Sequence, residues 1–116
     1  MAEYTILHNP RCSKSRQTLA ILEKHTEDIE VFVYLDIDLT TKFIKNILKV
    51  LKLDARDILR ENEQDFKHNN LSNEELSEDD LIYVMLNYPK IIERPIVIKG
   101  SQGIIGRPPE NVLELF

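Results

Sequence analysis

Tyr4-Thr5-Ile6-Leu7-His8-Asn9-Pro10-Arg11-Cys12-Ser13-Lys14-Ser15-Arg16 is the stretch on which the fold turns. Tyr4 to His8 favour an extended strand, and Asn9-Pro10 ends it, because proline lacks the N–H that a ladder needs. Thr18, Leu19, Ile21 and Leu22 then recur at the spacing of one buried helix face, down to about His25-Thr26. The only cysteine of the chain therefore falls where a strand hands over to the first turn of a helix. Unpaired backbone N–H groups and the positive end of the helix dipole favour an anion at such a place. Arg11, Lys14 and Arg16 add positive charge nearby. A free thiol titrates at about 8.5, and surroundings of this kind bring it down to roughly 3.5–7.5. A lone cysteine is more often an inert, buried small residue; position and basic neighbours set Cys12 apart as a candidate thiolate nucleophile.

Outward from this start, Ile29 to Leu35 is rich in β-branched and aromatic residues and reads as a buried strand. Parallel to the first strand, it would close a right-handed βαβ unit over residues 4–35. Thr40 or Thr41 can cap a helix in which Phe43, Ile44, Ile47, Leu48 and Leu51 face inward while Lys42, Lys45, Lys49 and Lys52 face away. Leu53 to Asn62 reads as a short helix capped by Asp54, with Ile58 and Leu59 inside and Arg60 near its end. Residues 63–73 show the least order. Ser72 or Ser77 can open the next helix, Ser77 with a capping-box-like start through Asp80; the helix is buried through Leu81, Ile82, Met85 and Leu86 and ended by Tyr88-Pro89. The acids at its start suit the helix dipole and need no metal. A strand follows Pro95, Gly100 to Gly103 form a hairpin loop, and Ile104-Ile105 return as a second strand. Beyond Arg107-Pro108-Pro109, a last helix would pack through Val112, Leu113 and Phe116.

The 116 residues are expected to form one domain, α/β in class, with a small mixed sheet and a helical insert at about 40–88. One cysteine makes no internal disulfide. No apolar run approaches the ~18–20 residues of a membrane span, and the N-terminus carries no signal-peptide pattern, so a cytoplasmic protein is the expectation. A net charge of −5 argues against a broad grip on nucleic acid. His8, His25 and His68 have no ligand spacing with one another or with Cys12, and no metal site is expected. Arg94 and Arg107 each directly precede a proline at the edge of an apolar strand, which sets them apart from ordinary surface arginines.

Four separated segments carry a resemblance over essentially the whole chain from Tyr4: His8 to Arg16, Leu59-Arg60, Glu93 to Val97, and Ile105-Gly106-Arg107-Pro108. Together they resemble the ArsC family of glutathione/glutaredoxin-linked arsenate reductases, which have a thioredoxin/glutaredoxin-like fold. The resemblance implies that Cys12 is the catalytic cysteine. It also implies that Arg60, Arg94 and Arg107 bind the oxyanion, that His8 and Ser15 tune the thiol, and that the Arg94-Pro95 bond is cis. Ser13-Lys14 stand where the best-characterised members carry Gly-Thr, and those members extend beyond the point where this chain stops, so the likeness is to a shorter subgroup.

By that resemblance the substrate is arsenate or a similar oxyanion, no cofactor is tightly bound, and glutathione is the co-substrate, with glutaredoxin as protein partner. The cysteine count bears on the mechanism separately. A chain with one cysteine holds no resolving thiol, so an external thiol must complete any reduction begun at Cys12. Two other readings use the same fold. An Spx-like transcription regulator docks on RNA polymerase but typically carries Cys-x-x-Cys, whose second position here is Ser15. A monothiol glutaredoxin-like transferase would use Cys12 alone, with the arginines serving a glutathione carboxylate or a sulfonate-like anion.

Overall fold

The computed structural model of the chain describes residues 2–116. These divide into two compact units: the residues through Ile37 together with Arg94–Phe116, and Asp38–Glu93.

The first unit is built on a four-stranded sheet of order β2-β1-β3-β4, formed by β1 (Tyr4–Leu7), β2 (Ile29–Phe32), β3 (Ile96–Lys99) and β4 (Gln102–Ile105). β1 pairs parallel with β2 and antiparallel with β3, and β3–β4 is a hairpin. Helix α1 (Ser13–His25) crosses from β1 to β2 and buries Ser15, Thr18 and Leu22, three positions on one face at helical spacing. Leu19 and Ile21 are only partly buried. Leu22 joins Tyr4, Ile6, Val97, Val112 and Leu115 in the core of this unit.

Three features of this unit differ from what the sequence pattern predicts. β2 stops at Phe32 and is not a buried strand: it lies at the sheet edge with Glu30 and Val31 exposed, and Tyr34–Asp36 form a 3₁₀ turn in which Tyr34 is fully buried. The hairpin loop is two residues, Gly100-Ser101, because Lys99 already pairs with Gln102. Gly100 has φ +59°, which glycine adopts without a Cβ penalty and which the first position of a type II′ turn requires. The last helix, Pro109–Leu115, is 3₁₀. Its three-residue period buries Pro109, Val112 and Leu115 and leaves Leu113 exposed, whereas a 3.6-residue period had pointed to Leu113. Phe116 is half exposed, with its ring against those of Tyr4 and His25.

The second unit is helical. α2 (Thr41–Leu51) is capped by the Thr40 hydroxyl, which accepts from the Phe43 N–H, and it buries Ile44, Ile47 and Leu48. α4 (Glu78–Asn87) starts on the expected Ser77/Asp80 capping box and buries Leu81, Ile82 and Met85. The expected helix over 53–62 is instead a single 3₁₀ turn, Ala55–Ile58, with Asp54 and Asp57 forming its capping box. Leu59 then leaves the helix to pair antiparallel with Ile92. Burial was legible there although backbone geometry was not: Ile58 and Leu59 are both inside. Residues 63–73, expected to be irregular, contain the short helix α3 (Gln64–His68), which buries Phe66.

Gly106, just past β4, has no room for a side chain. A Cβ placed there would stand 2.5 Å from Thr18 Oγ1 and 2.7 Å from Pro95 Cγ. Thr18 is buried on α1 and the proline ring is stiff, so neither neighbour yields easily. Gly106→Ala is therefore expected to cost about 1–3 kcal/mol, measured as a lower urea midpoint; an unchanged midpoint would show that the loop shifts freely.

Candidate active site at Cys12

Asn9 and Pro10 turn the chain out of β1, and Cys12 becomes the N-cap residue of α1 with extended backbone, φ −96° and ψ 123°. Its thiol is partly exposed, and it is the only thiol of the chain. The Nη2 of Arg107 donates to Cys12 Sγ at 3.4 Å. Arg94, from the segment before β3, is also hydrogen-bonded to Cys12 and interacts with Tyr34. Arg107 Nε in turn donates to the Arg94 carbonyl at 2.7 Å, so the two arginines are fixed to each other as well as to the sulfur. The Arg94-Pro95 bond is cis, as is Arg107-Pro108.

Opposing influences act on the thiol. Burial is the largest and disfavours the thiolate; against it stand the N–H of Ser15, the Arg94 side chain, the N–H of Lys14 and the charge of Arg107. The second group prevails, and the Cys12 pKa lies below its ordinary value. The sulfur makes no capping hydrogen bond of normal length, so the N–H groups act on it mainly as oriented dipoles at the helix start. The cations that matter come from distant sequence, Arg94 and Arg107, while Arg11 and Lys14 are exposed and Arg16 donates to the Pro10 carbonyl. Burial also works against the charge of Arg94, but Tyr34 and Cys12 outweigh it and raise its pKa.

His8 and Ser15 form a buried pair. His8 Nδ1 and Ser15 Oγ are 2.7 Å apart, and the same hydroxyl accepts from the Asn9 N–H at 3.0 Å. Burial, then the charge of Arg16, lower the His8 pKa and favour a neutral ring. The pair ties the end of β1 to the first turn of α1, which holds the Cys12 turn from both sides. Arg60 belongs to the second unit, where its Nε is 3.4 Å from Glu63 and its Nη1 3.5 Å from Glu93. Tyr34 gives no functional signal in the sequence, because an aromatic residue in an apolar run reads as core; only the fold brings it to Arg94. Among the described residues, no group of three or more His, Cys, Asp or Glu side chains is placed to hold a metal ion.

A thiol pKa that is lower in the folded chain links stability to pH. Between the lowered value and the ordinary ~8.5, the unfolded chain holds a proton that the native thiolate has lost, so stability rises with pH across that window. The contribution is complete above the unfolded value and vanishes as pH falls through the folded one. Cys12→Ser is expected to flatten this part of the stability–pH curve, measured by urea unfolding under reducing conditions; parallel curves would contradict a depressed native pKa.

Comparison with known proteins places this geometry in a family. The ArsC family profile matches residues 7–115. An uncharacterized protein of Escherichia coli is 44% identical over 111 residues, which cover 95% of this chain and 93% of the relative. An arsenate reductase of Haemophilus influenzae is 41% identical over 112 residues, 96% of this chain and 97% of the relative. The solved structure of an arsenate reductase from Vibrio cholerae superposes with a TM-score of 0.95 at 41% identity, covering 99% of this chain and 98% of that one. The mixed sheet and its helices are thus the thioredoxin-like arrangement shared by these proteins, and the chain belongs to the ArsC family.

Proposed function

We propose that this protein reduces arsenate to arsenite through a covalent adduct on Cys12 that external glutathione and glutaredoxin resolve. The observation that carries the proposal is the contact of Arg94 and Arg107 with one partly exposed thiol at a helix N-terminus. The arsenate reductases named above, similar over nearly their whole length, support the choice of oxyanion.

Arsenate carries roughly two negative charges at neutral pH, and planar guanidinium groups suit such an anion because they stay charged and reach two oxygens at once. In the first step the Cys12 thiolate attacks arsenic and an oxygen leaves as water after protonation, giving a thio-arsenate ester. Arg94 and Arg107 stabilise the developing charge, with Arg60 as a third cation by resemblance to the family. Arsenic(V) must then gain two electrons. Two external thiols supply them by becoming a disulfide, which releases arsenite and frees Cys12. No second cysteine exists in the chain to take that part.

A coupled assay with arsenate, glutathione and glutaredoxin, followed as NADPH consumption through glutathione reductase, tests the proposal. Turnover that requires arsenate and disappears in Cys12→Ser is expected. Arg94→Ala, which removes a charge-assisted hydrogen bond at the anion, is expected to raise the arsenate KM roughly 10- to 100-fold. A reactive Cys12 without arsenate turnover would overturn the proposal in favour of a thiol transferase or a polymerase-binding regulator.

A further inference from the structure

The contact between Arg107 and Cys12 depends on where a short loop, Gly106-Arg107, is held after β4. Three consecutive carbonyls, from the last residue of β4 through this loop, are each met by a side chain from outside it. Asn111 Nδ2 donates to the Ile105 carbonyl at 3.2 Å and to the Arg107 carbonyl at 3.0 Å. The Thr18 hydroxyl lies 3.4 Å from the Gly106 carbonyl, though its shorter bond, 2.8 Å, goes to Lys14. A single hydroxyl hydrogen serves one acceptor well, so Thr18 is the weaker hold. The Asn111 amide has two N–H groups and uses one on each carbonyl, an arrangement that neither a carboxylate nor a hydroxyl reproduces. Within the loop, the Gly106 N–H donates to Pro95 and the Arg107 N–H to Ile105, which ties the same backbone to the start of β3.

We propose that Asn111 is a positioning residue for the thiol site: its amide bridges the carbonyls on either side of Gly106 and so sets the Arg107 guanidinium against Cys12. Its amide hydrogens go to backbone carbonyls rather than to the sulfur. It comes from the terminal 3₁₀ helix, whose own anchors are Pro109, Val112 and Leu115, so the end of the chain acts on the cysteine through one arginine. The inference deepens the reading of Cys12 as an activated nucleophile, but it concerns the thiol itself and stands whichever anion is reduced.

Asn111→Leu keeps the approximate size, adds no charge and removes both donors. Thiolate absorbance is titrated for the wild type, Asn111→Leu, Arg107→Ala and the double variant, with thermal melts run in parallel. Asn111→Leu is expected to raise the titration midpoint by about half to one pH unit, the effect of weakening one charged contact. In the Arg107→Ala background the same substitution should move the midpoint little further, because the route through the guanidinium is already gone. Asn111→Ala serves as the second variant if the leucine prevents folding. An unchanged midpoint in a folded variant, or an equal rise with and without Arg107, would overturn the assignment. Absence of arsenate turnover in the wild type would bear on the substrate alone and leave this titration interpretable.

Discussion

One sulfur is held between burial, which resists its ionisation, and a set of oriented donors that favour it. The helix start offers N–H dipoles from Ser15 and Lys14, and Arg94 and Arg107 supply full charges from residues more than eighty positions away in sequence. The β1–α1 turn places the cysteine, the cis-proline segment before β3 places Arg94, and the loop after β4 places Arg107. The first unit is in effect a means of bringing three backbone ends to one point. A central β1, paired on both sides, gives these ends a common and rigid origin.

The local part of this arrangement was legible in the sequence because it is local. A strand broken by Asn9-Pro10, a helical stripe after it and a cysteine between them need only periodicity and turn chemistry to be read. The capping box at Ser77/Asp80 and the Thr40 cap are legible for the same reason: each is made within four residues. What periodicity could not give were the places where tertiary pairing overrides helix pattern. Leu59 leaves its expected helix to pair with Ile92, and the terminal helix tightens to 3₁₀ so that every third residue is buried. The β2 strand carries the composition of a buried strand yet sits at an edge, which only sheet order decides.

The site divides along the same line. Cys12 stood out by position, and Arg94 and Arg107 by the prolines that follow them, but their meeting at one atom is a property of the fold. Their proposed roles came through family resemblance rather than spacing. Tyr34 and Asn111 give no sequence signal of a role at the site: Tyr34 lies in an apolar run, and Asn111 belongs to no motif. Both matter through the arginines they touch. Their place here illustrates how the network behind a reactive group is spread over elements that share no local motif.

The native fold favours the thiolate of Cys12 at a pH where a free thiol would stay protonated. The most direct measurement of this is the thiolate absorbance of the wild-type protein against pH, in the folded state and again in urea. A folded midpoint below the ordinary ~8.5 is expected, with a return to about that value on unfolding. A folded midpoint at or above the unfolded one would contradict it, since burial would then have outweighed the arginines and the helix.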